Sequence, residues 1–123
     1  MRAAVLETVG EPLVIRDDVE VEEPRAGEVA VRVAHCGVCH SDLSMVDGTF
    51  PALLPMVLGH EAAGVVEAVG PGVTSLVAGD HVVLTPAPPG GTCPWCIRGA
   101  WSLCRNSEAL LTASQPDGRK RLS

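Results

Sequence analysis

The sequence predicts a mainly β domain in which short strands form a barrel-like arrangement. Short apolar runs recur between turn clusters, and one of these runs alternates strictly between two faces. A chain of 123 residues with 46% hydrophobic and 20% charged residues can bury one compact core. Only one phenylalanine, two tryptophans and no tyrosine are present, so we expect a core of mainly valine, leucine and alanine.

The strands follow from the apolar runs and the turns that bound them. Predicted strands cover residues 3–6, 13–16, 28–34 and 82–85. The third alternates, with Val29, Val31 and Val33 on one face, which is the period of a half-buried strand. Residues 61–69 are rich in alanine and valine and end at a Gly-Pro-Gly turn.

One short helix and one irregular lobe complete the prediction. The helix is expected at 41–46, with Ser41 as its N-cap and Gly48 as its stop. Residues 50–55 are expected to form a proline-punctuated loop. From Pro86 onward, proline and glycine predict an irregular segment that carries Cys93, Cys96 and Cys104.

Charge and compartment exclude several classes of partner. The net charge of −6 argues against nucleic acid and against anionic membrane surfaces, because neither attracts an acidic protein. The initial apolar run is too short for a signal-peptide core or a membrane span, so a cytoplasmic location is expected. In that reducing compartment we expect the five cysteines to bind metal, act in catalysis or be buried rather than form disulfides.

The segment 36–42 reads Cys-Gly-Val-Cys-His-Ser-Asp and is open to three interpretations. It matches the c-type haem attachment pattern, although that chemistry normally belongs to exported proteins. It also matches a Cys-x-x-Cys redox pair, although the aromatic and proline context of thioredoxin-like sites is missing. The third interpretation uses one thiolate as a zinc ligand, with a hydroxyl and a carboxylate close by.

Two further groups could ligate a metal. His60 and Glu61 offer a neutral imidazole beside a carboxylate, although such a pair taken alone is more often solvated or satisfied. Cys93 and Cys96, with Cys104 after them, could grip one tetrahedral ion. Three thiolates are one fewer than a structural zinc site uses, and a loop with incidental thiols is the alternative.

Taken together, these motifs resemble the amino-terminal GroES-like domain of the zinc-dependent medium-chain alcohol dehydrogenases. Residues 59–64 read Gly-His-Glu-Ala-Ala-Gly and, with Gly70 and Val73, follow the family signature. Residues 37–42 resemble the preceding zinc-ligand segment, and 77–82 resemble the Gly-Asp-x-Val strand entry.

The resemblance covers essentially all of residues 1–123 and carries expectations about fold and domain organisation. It implies a GroES-like, twisted and partly open β-barrel with one or two short helices and a cysteine-containing lobe. It also implies a single catalytic domain without its nucleotide-binding partner. The resemblance places that domain and a third zinc ligand beyond residue 123. Consistent with the missing domain, no Gly-x-Gly-x-x-Gly opens a helix after a strand here.

The resemblance further assigns roles to individual residues. Cys39 and His60 are implied ligands of a catalytic zinc. Cys93, Cys96 and Cys104 are implied ligands of a metal in the lobe. The catalytic roles fall to Ser41, which takes the alcohol proton, to Asp42, which supports the ligating histidine, and to the neighbouring carboxylate Glu61. His40 is implied to contact the cofactor pyrophosphate.

The reaction that this implies is the oxidation of a small alcohol to an aldehyde or ketone. Zinc polarises the alcohol oxygen, and a hydride passes to NAD or NADP. The chain alone is not expected to turn over alcohol, because it encodes no nucleotide pocket. A homo-oligomer is expected, because surface that a second domain would cover is left exposed.

Two positions depart from the family pattern. Gly90 stands where the lobe normally has its first cysteine, which leads us to expect a metal-free or weakly occupied lobe. Ser44 stands where many members carry a histidine at the outer end of the proton relay. Other cysteine, histidine and tryptophan residues are expected to be structural. Cys36 is expected to be packed, and His35 and His81 are expected to be polar residues at strand ends. Trp95 and Trp101 are expected to pack inside the lobe.

Two other functions remain open from the sequence. A non-catalytic GroES-like assembly module would have no need of Cys39, His60 and Glu61 at these spacings. A stand-alone zinc-binding module would hold stoichiometric zinc without any cofactor domain.

Overall fold

The computed structural model describes residues 1–105 and 119–123. Its strands are β1 Ala3–Leu6, β2 Val14–Arg16, β3 Val29–Gly37, β4 Met56–Val57, β5 Glu61–Val69 and β6 His81–Val83. Its helices are α1 His40–Val46 and α2 Pro94–Ile97, and a 3-10 turn follows at Trp101–Leu103. Within the described ranges, every helix is too short or too polar to cross a membrane.

The strands form two antiparallel three-stranded sheets. One has the order β2-β1-β4 and the other the order β3-β5-β6. Both sheets have open edges, so strands do not close into a full barrel among the described residues. The prediction of a mainly β, partly open fold with short helices is confirmed.

The pairing of β3 with β5 is long and irregular. Its register shifts between Ala30 and Val31 and again between Val33 and His35. The alternation predicted for β3 is only partly correct, because Val29 and Val31 are half-buried whereas Val33, beside the second shift, is 52% exposed. The buried face belongs to β5, in which alternate residues Ala62, Gly64 and Val66 are buried.

Several boundaries differ from those predicted. The prediction that Ser41 caps α1 is wrong, because the helix begins at His40 and Cys39 is its N-cap. The carboxylate of Asp42 accepts a hydrogen bond from the Cys39 backbone N–H at 2.9 Å. This contact favours a helix that begins one residue earlier than predicted, at His40. Strand β4 was not predicted, because two residues beside a proline-rich loop carry no periodicity.

The buried hydrophobic side chains come from both sheets and match the predicted composition. Leu6 in β1 and Val66 in β5 are fully buried, and Val5, Met56 and Ala62 are nearly so. None of the described aromatic side chains is buried. The core therefore rests on small aliphatic residues and on the two buried cysteines of the lobe.

The lobe buries its cysteines and leaves its tryptophans outside. Cys96 and Cys104 are buried, whereas Trp95 is 41% and Trp101 63% exposed. The prediction that both tryptophans pack inside the lobe is therefore wrong, because the short helix and the 3-10 turn enclose the sulfur atoms instead. Cys36, expected to be packed, is exposed as well. His35 and His81 lie exposed in β3 and β6, as polar strand residues.

The last described residues contact segments from the first half of the chain. Leu122 bridges to Val21, and the Lys120 ammonium donates to the carbonyls of Leu53 and Pro55 at 2.7 and 2.8 Å. The Arg121 guanidinium contacts both carboxylate oxygens of Glu28, with a shortest distance of 2.6 Å. The side-chain contacts of Lys120 and Arg121 join residues 65 to 93 positions apart.

Candidate metal centres

The register of β3 and β5 brings two separate motifs together. Gly37, the last residue of β3, pairs with Glu61, the first residue of β5. Cys39 follows β3 and His60 precedes β5, so the ends of both motifs meet at one edge of the sheet. The ligand atoms of Cys39, His60 and Glu61 all lie within 4.8 Å of one another.

Hydrogen bonds on both sides fix the imidazole of His60. Its Nδ1 lies 3.2 Å from Asp42 Oδ1, and its Nε2 lies 3.2 Å from the hydroxyl of Ser41. Since an ionised carboxylate only accepts hydrogen bonds, Nδ1 carries the proton in the neutral ring. The lone pair of Nε2 then faces Ser41 and the cluster, which is the orientation that a metal-ligating histidine needs.

Asp42 supports both potential ligands at once. Its side chain is buried, with 6% exposure, and its second oxygen accepts the backbone N–H of Cys39. One carboxylate therefore holds the ring of His60 and the segment that carries the Cys39 thiol. The resemblance suggested that Asp42 supports a zinc-ligating histidine, and that role stays a prediction.

The protonation preferences of the cluster favour a thiolate. The hydrogen bond from Ser41, followed by that from His60, lowers the pKa of Cys39. Burial lowers the pKa of His60, but the hydrogen bond with Cys39 and the charge of Asp42 outweigh burial and raise that pKa overall. Without a metal, the protonated ring therefore donates from Nε2 to the Cys39 thiolate, and ligation of a metal requires release of that proton. A deprotonated thiol is the form that ligates metal, so Cys39 is prepared for that role.

Three glycines of this region are closely packed against neighbouring residues, and one of them adjoins the cluster. A Cβ on Gly37 would lie 2.5 Å from Glu61 Oε2, and one on Gly59 would lie 2.8 Å from the sulfur of Cys36. Gly59 also has a φ of 116°, which side chains rarely adopt. A Cβ on Gly64 would lie 2.3 Å from the carbonyl oxygen of Arg32. The glycines of the signature are therefore required by close packing.

The donor set suits a catalytic zinc. One thiolate, one imidazole and one carboxylate are three protein ligands of the types that catalytic zinc sites use. The resemblance gave Glu61 the role of a neighbouring carboxylate, with Cys39 and His60 as the two implied ligands, and in the structure the carboxylate of Glu61 lies with both of them. Only the strand register, which the sequence does not reveal, places Glu61 beside Cys39.

Two other predicted residues lie nearby but outside the cluster. His40 is exposed at the first position of α1. Among the hydrogen bonds of the described residues, none involves its imidazole ring. Ser44 is buried, and its hydroxyl donates to the carbonyl of His40 at 3.3 Å. That hydroxyl is directed at its own helix and does not extend a relay towards solvent.

The lobe gathers a second cluster. The ligand atoms of Cys93, Cys96 and Cys104 lie within 4.8 Å of one another, with sulfur separations of 3.5 Å for Cys93 to Cys96 and 4.0 Å for Cys93 to Cys104. Backbone N–H groups of Cys96 and Arg105 lower the pKa of Cys93 to about 6. Burial raises the pKa of Cys96. Within the described ranges, no histidine or carboxylate joins this cluster.

Comparison with known proteins decides the family. The profile of the alcohol dehydrogenase GroES-like domain matches residues 25–118. The chain belongs to this family. Family membership favours the zinc interpretation of the segment 36–42 over haem attachment or a redox pair. Consistently, Cys36 is exposed and does not contribute to the cluster of Cys39, His60 and Glu61.

Relatives of this GroES-like domain include proteins named as alcohol dehydrogenases. The chain is 44% identical to an NDMA-dependent alcohol dehydrogenase of Amycolatopsis methanolica, over 98% of this chain and 32% of the relative. It is also 44% identical to the class-3 alcohol dehydrogenase of Drosophila melanogaster, over 99% of this chain and 32% of the relative. The chain therefore spans about a third of the length of these relatives.

Solved structures confirm the GroES-like fold. An alcohol dehydrogenase zinc-binding domain protein from Burkholderia ambifaria matches 98% of this chain and 32% of its own, with 47% identity and a TM-score of 0.90. The benzyl alcohol dehydrogenase of Acinetobacter calcoaceticus matches 98% of this chain and 33% of its own, with 35% identity and a TM-score of 0.86.

Proposed function

We propose that residues 1–123 form the amino-terminal catalytic portion of a zinc-dependent alcohol dehydrogenase that oxidises alcohols to aldehydes or ketones with NAD or NADP. The observation that carries the proposal is the cluster of Cys39, His60 and Glu61, which β3–β5 pairing assembles from two motifs. The length of the relatives supports a nucleotide-binding domain elsewhere in the protein.

Each residue of the cluster has a distinct task in this proposal. Cys39, His60 and Glu61 would hold zinc, which when bound supplies a Lewis acid for an alcohol oxygen. Asp42 keeps the proton of His60 on Nδ1, so that Nε2 stays available as a ligand. Ser41 places its hydroxyl 3.2 Å from that nitrogen and would accept the proton that the alcohol loses.

His40 is proposed to serve the nucleotide cofactor. It is exposed, and it lies next in sequence to both Cys39 and Ser41. A positively charged or hydrogen-bonding ring at this position could contact a pyrophosphate brought by the nucleotide-binding domain.

A chimera tests the function directly. This chain would replace the matching third of the Burkholderia ambifaria protein, which has 47% identity and the same fold. We expect the chimera to oxidise members of a panel of primary and secondary alcohols, with NADH or NADPH absorbance as the readout. A folded chimera that retains zinc but oxidises no alcohol with either cofactor would contradict the proposal.

A matched pair of cysteine variants assigns the activity to the cluster. Cys39→Ser is expected to reduce kcat/KM by at least about 100-fold, because a zinc ligand is lost. Cys36→Ser is the control, since Cys36 is exposed and outside the cluster. Equal activities in the two variants would remove Cys39 from the proposed mechanism.

We also propose a homo-oligomer, a small-molecule alcohol as substrate and a cytoplasmic location. Support for self-association comes from exposed apolar side chains of the second sheet and its flank, with Val33 at 52%, Val83 at 82% and Val38 at 81% exposure. Light scattering coupled to gel filtration measures the mass in solution, and a monomer at all concentrations would contradict self-association.

A further inference from the structure

Lys120 is the single lysine of the chain, and its ammonium group binds a loop that is distant in sequence. It donates to the carbonyl oxygens of Leu53 and Pro55 at 2.7 and 2.8 Å. These distances are typical of charge-assisted hydrogen bonds, which are stronger than bonds between neutral groups. Because one ammonium carries three N–H donors, it can hold both carbonyls at the same time. Lys120 therefore fixes the direction of two peptide groups in the loop 50–55.

The segment that carries Lys120 is itself anchored to the first half of the chain. The backbone of Arg121 and Ser123 forms hydrogen bonds of 2.8 to 3.1 Å with the segment 20–22. The guanidinium of Arg121 adds an ion pair with Glu28. Because the backbone beside Lys120 is already held, only the lysine side chain loses freedom when it binds the loop.

The loop 50–55 joins the two sides of the candidate catalytic cluster. It begins at the last turn of α1, where the N–H of Phe50 donates to the Ser44 carbonyl at 2.8 Å, and it ends at β4, which pairs with β1. Ser41 lies on the first turn of α1, and the seven residues of that helix span only about 10 Å. His60 follows the loop by five residues, which span at most about 17 Å. The loop therefore connects the helix of Ser41 to the strand that leads to His60.

The loop presents apolar side chains at the surface. Phe50 is 48% exposed, and Leu53, whose carbonyl Lys120 holds, is 56% exposed. Exposed apolar side chains on a loop that a scaffold positions are typical of a surface that receives the apolar part of a ligand. Because the peptide group of Leu53 is fixed, the directions open to its side chain are restricted as well.

We propose that Lys120 is a positioning residue that holds the loop 50–55 in the conformation that receives the apolar part of the alcohol. It acts through the loop and not on the reacting atoms. The inference rests on the proposed alcohol dehydrogenase function. Loss of the Lys120 contacts weakens binding of the alcohol in the ground state and the transition state alike, so it affects KM and not the chemical step.

Limited proteolysis tests the contact between Lys120 and the loop without any activity. Chymotrypsin cleaves after large apolar residues except before proline, so its target within the loop is the Leu53–Leu54 bond. We expect Lys120→Ala to be cleaved there at least about 10-fold faster than the unchanged chain. Lys120→Arg is expected to restore protection, because a guanidinium also donates several hydrogen bonds. Arg2→Ala is the control, since it removes an exposed positive charge that contacts Asp17 and not the loop.

Steady-state kinetics of the chimera that carries this chain tests the positioning role. With Lys120→Ala we expect the KM of the most efficiently oxidised apolar alcohol of the panel to rise at least about 10-fold, while kcat changes less than about 2-fold. Lys120→Arg is expected to restore KM. A purely structural role would instead lower the amount of active enzyme, which reduces kcat and leaves KM unchanged.

Three results would overturn the inference, each for a different reason. Equal cleavage of Lys120→Ala and the unchanged chain would show that the ammonium does not hold the loop. Faster cleavage with an unchanged KM would show that the loop does not receive the alcohol. A folded, zinc-containing chimera that is inactive with Lys120 in place would contradict the proposed function itself, and this inference with it.

Discussion

At the scale of single residues, Asp42 is the residue on which the candidate catalytic cluster depends. It is buried, and it contacts the ring of His60 with one oxygen and the backbone of Cys39 with the other. The sequence suggested its role through resemblance alone. The double contact could not be predicted, because it requires α1 to begin one residue before Ser41.

Asp42→Asn is expected to weaken zinc binding by about 10- to 100-fold, because the uncharged amide holds the imidazole of His60 less well. Competition with a zinc chelator measures the dissociation constant. Asp47→Asn is the control, since Asp47 caps the other end of α1 and its side chain bonds to the backbone of Thr49. An unchanged affinity in Asp42→Asn would show that the carboxylate only shapes the helix.

The thiol of Cys93 provides a prediction about pH. Backbone N–H groups lower its pKa to about 6, against about 8.5 for an ordinary cysteine. A lowered pKa means that the thiolate forms, and alkylation accelerates, as the pH rises through about 6. Mass spectrometry of the metal-free chain after iodoacetamide pulses at pH 5 to 9 measures this profile. A midpoint above pH 8 for Cys93 would contradict the hydrogen-bonded geometry of the lobe.

At the scale of the elements, the pairing of β3 with β5 creates the candidate catalytic site. Sequence periodicity predicted β3, and the apolar composition of 61–69 marked β5, because both features are local. The two register shifts and the pairing of Gly37 with Glu61 were not predicted, because they depend on contacts between distant segments. The sequence therefore did not show that Glu61 lies close enough to Cys39 and His60 to be a candidate third ligand.

Gly64→Ala tests this pairing. The added Cβ would lie 2.3 Å from the Arg32 carbonyl oxygen, so the strands must separate, at a cost of about 3 kcal/mol. Gly72→Ala is the comparison, since its Cβ meets no atom within 4 Å and it suffers only from a φ of 80°, worth about 1 kcal/mol. Urea unfolding measures both free energies. Equal destabilisation would argue against close approach of the two strands at Gly64.

At the scale of the whole molecule, the segment 119–123 closes the chain on itself. Arg121 pairs with Glu28 across 93 positions, with side-chain exposures of only 10% and 21%. No local sequence pattern identified a partner for Arg121. Contacts of this kind are decided by the folded topology and not by the neighbouring residues.

Arg121→Ala is expected to destabilise the chain by about 2 kcal/mol. Removal of one member of a largely buried pair leaves the other charge poorly solvated, which costs more than loss of a surface pair. Arg16→Ala is the control, because its bridges to Glu7 and Asp18 are exposed and screened by solvent, so their loss should cost less. Thermal unfolding compares the two variants, and a larger effect in Arg16→Ala would contradict this assignment.

The central claim is that Cys39, His60 and Glu61 form a zinc site at the junction of two motifs. Zinc-edge X-ray absorption tests it most directly, on a chain in which serine replaces the three lobe cysteines and one equivalent of zinc is added. We expect one sulfur neighbour at about 2.3 Å, together with nitrogen and oxygen neighbours at about 2.0 to 2.1 Å. A spectrum without sulfur, or with two sulfurs, would contradict the claim.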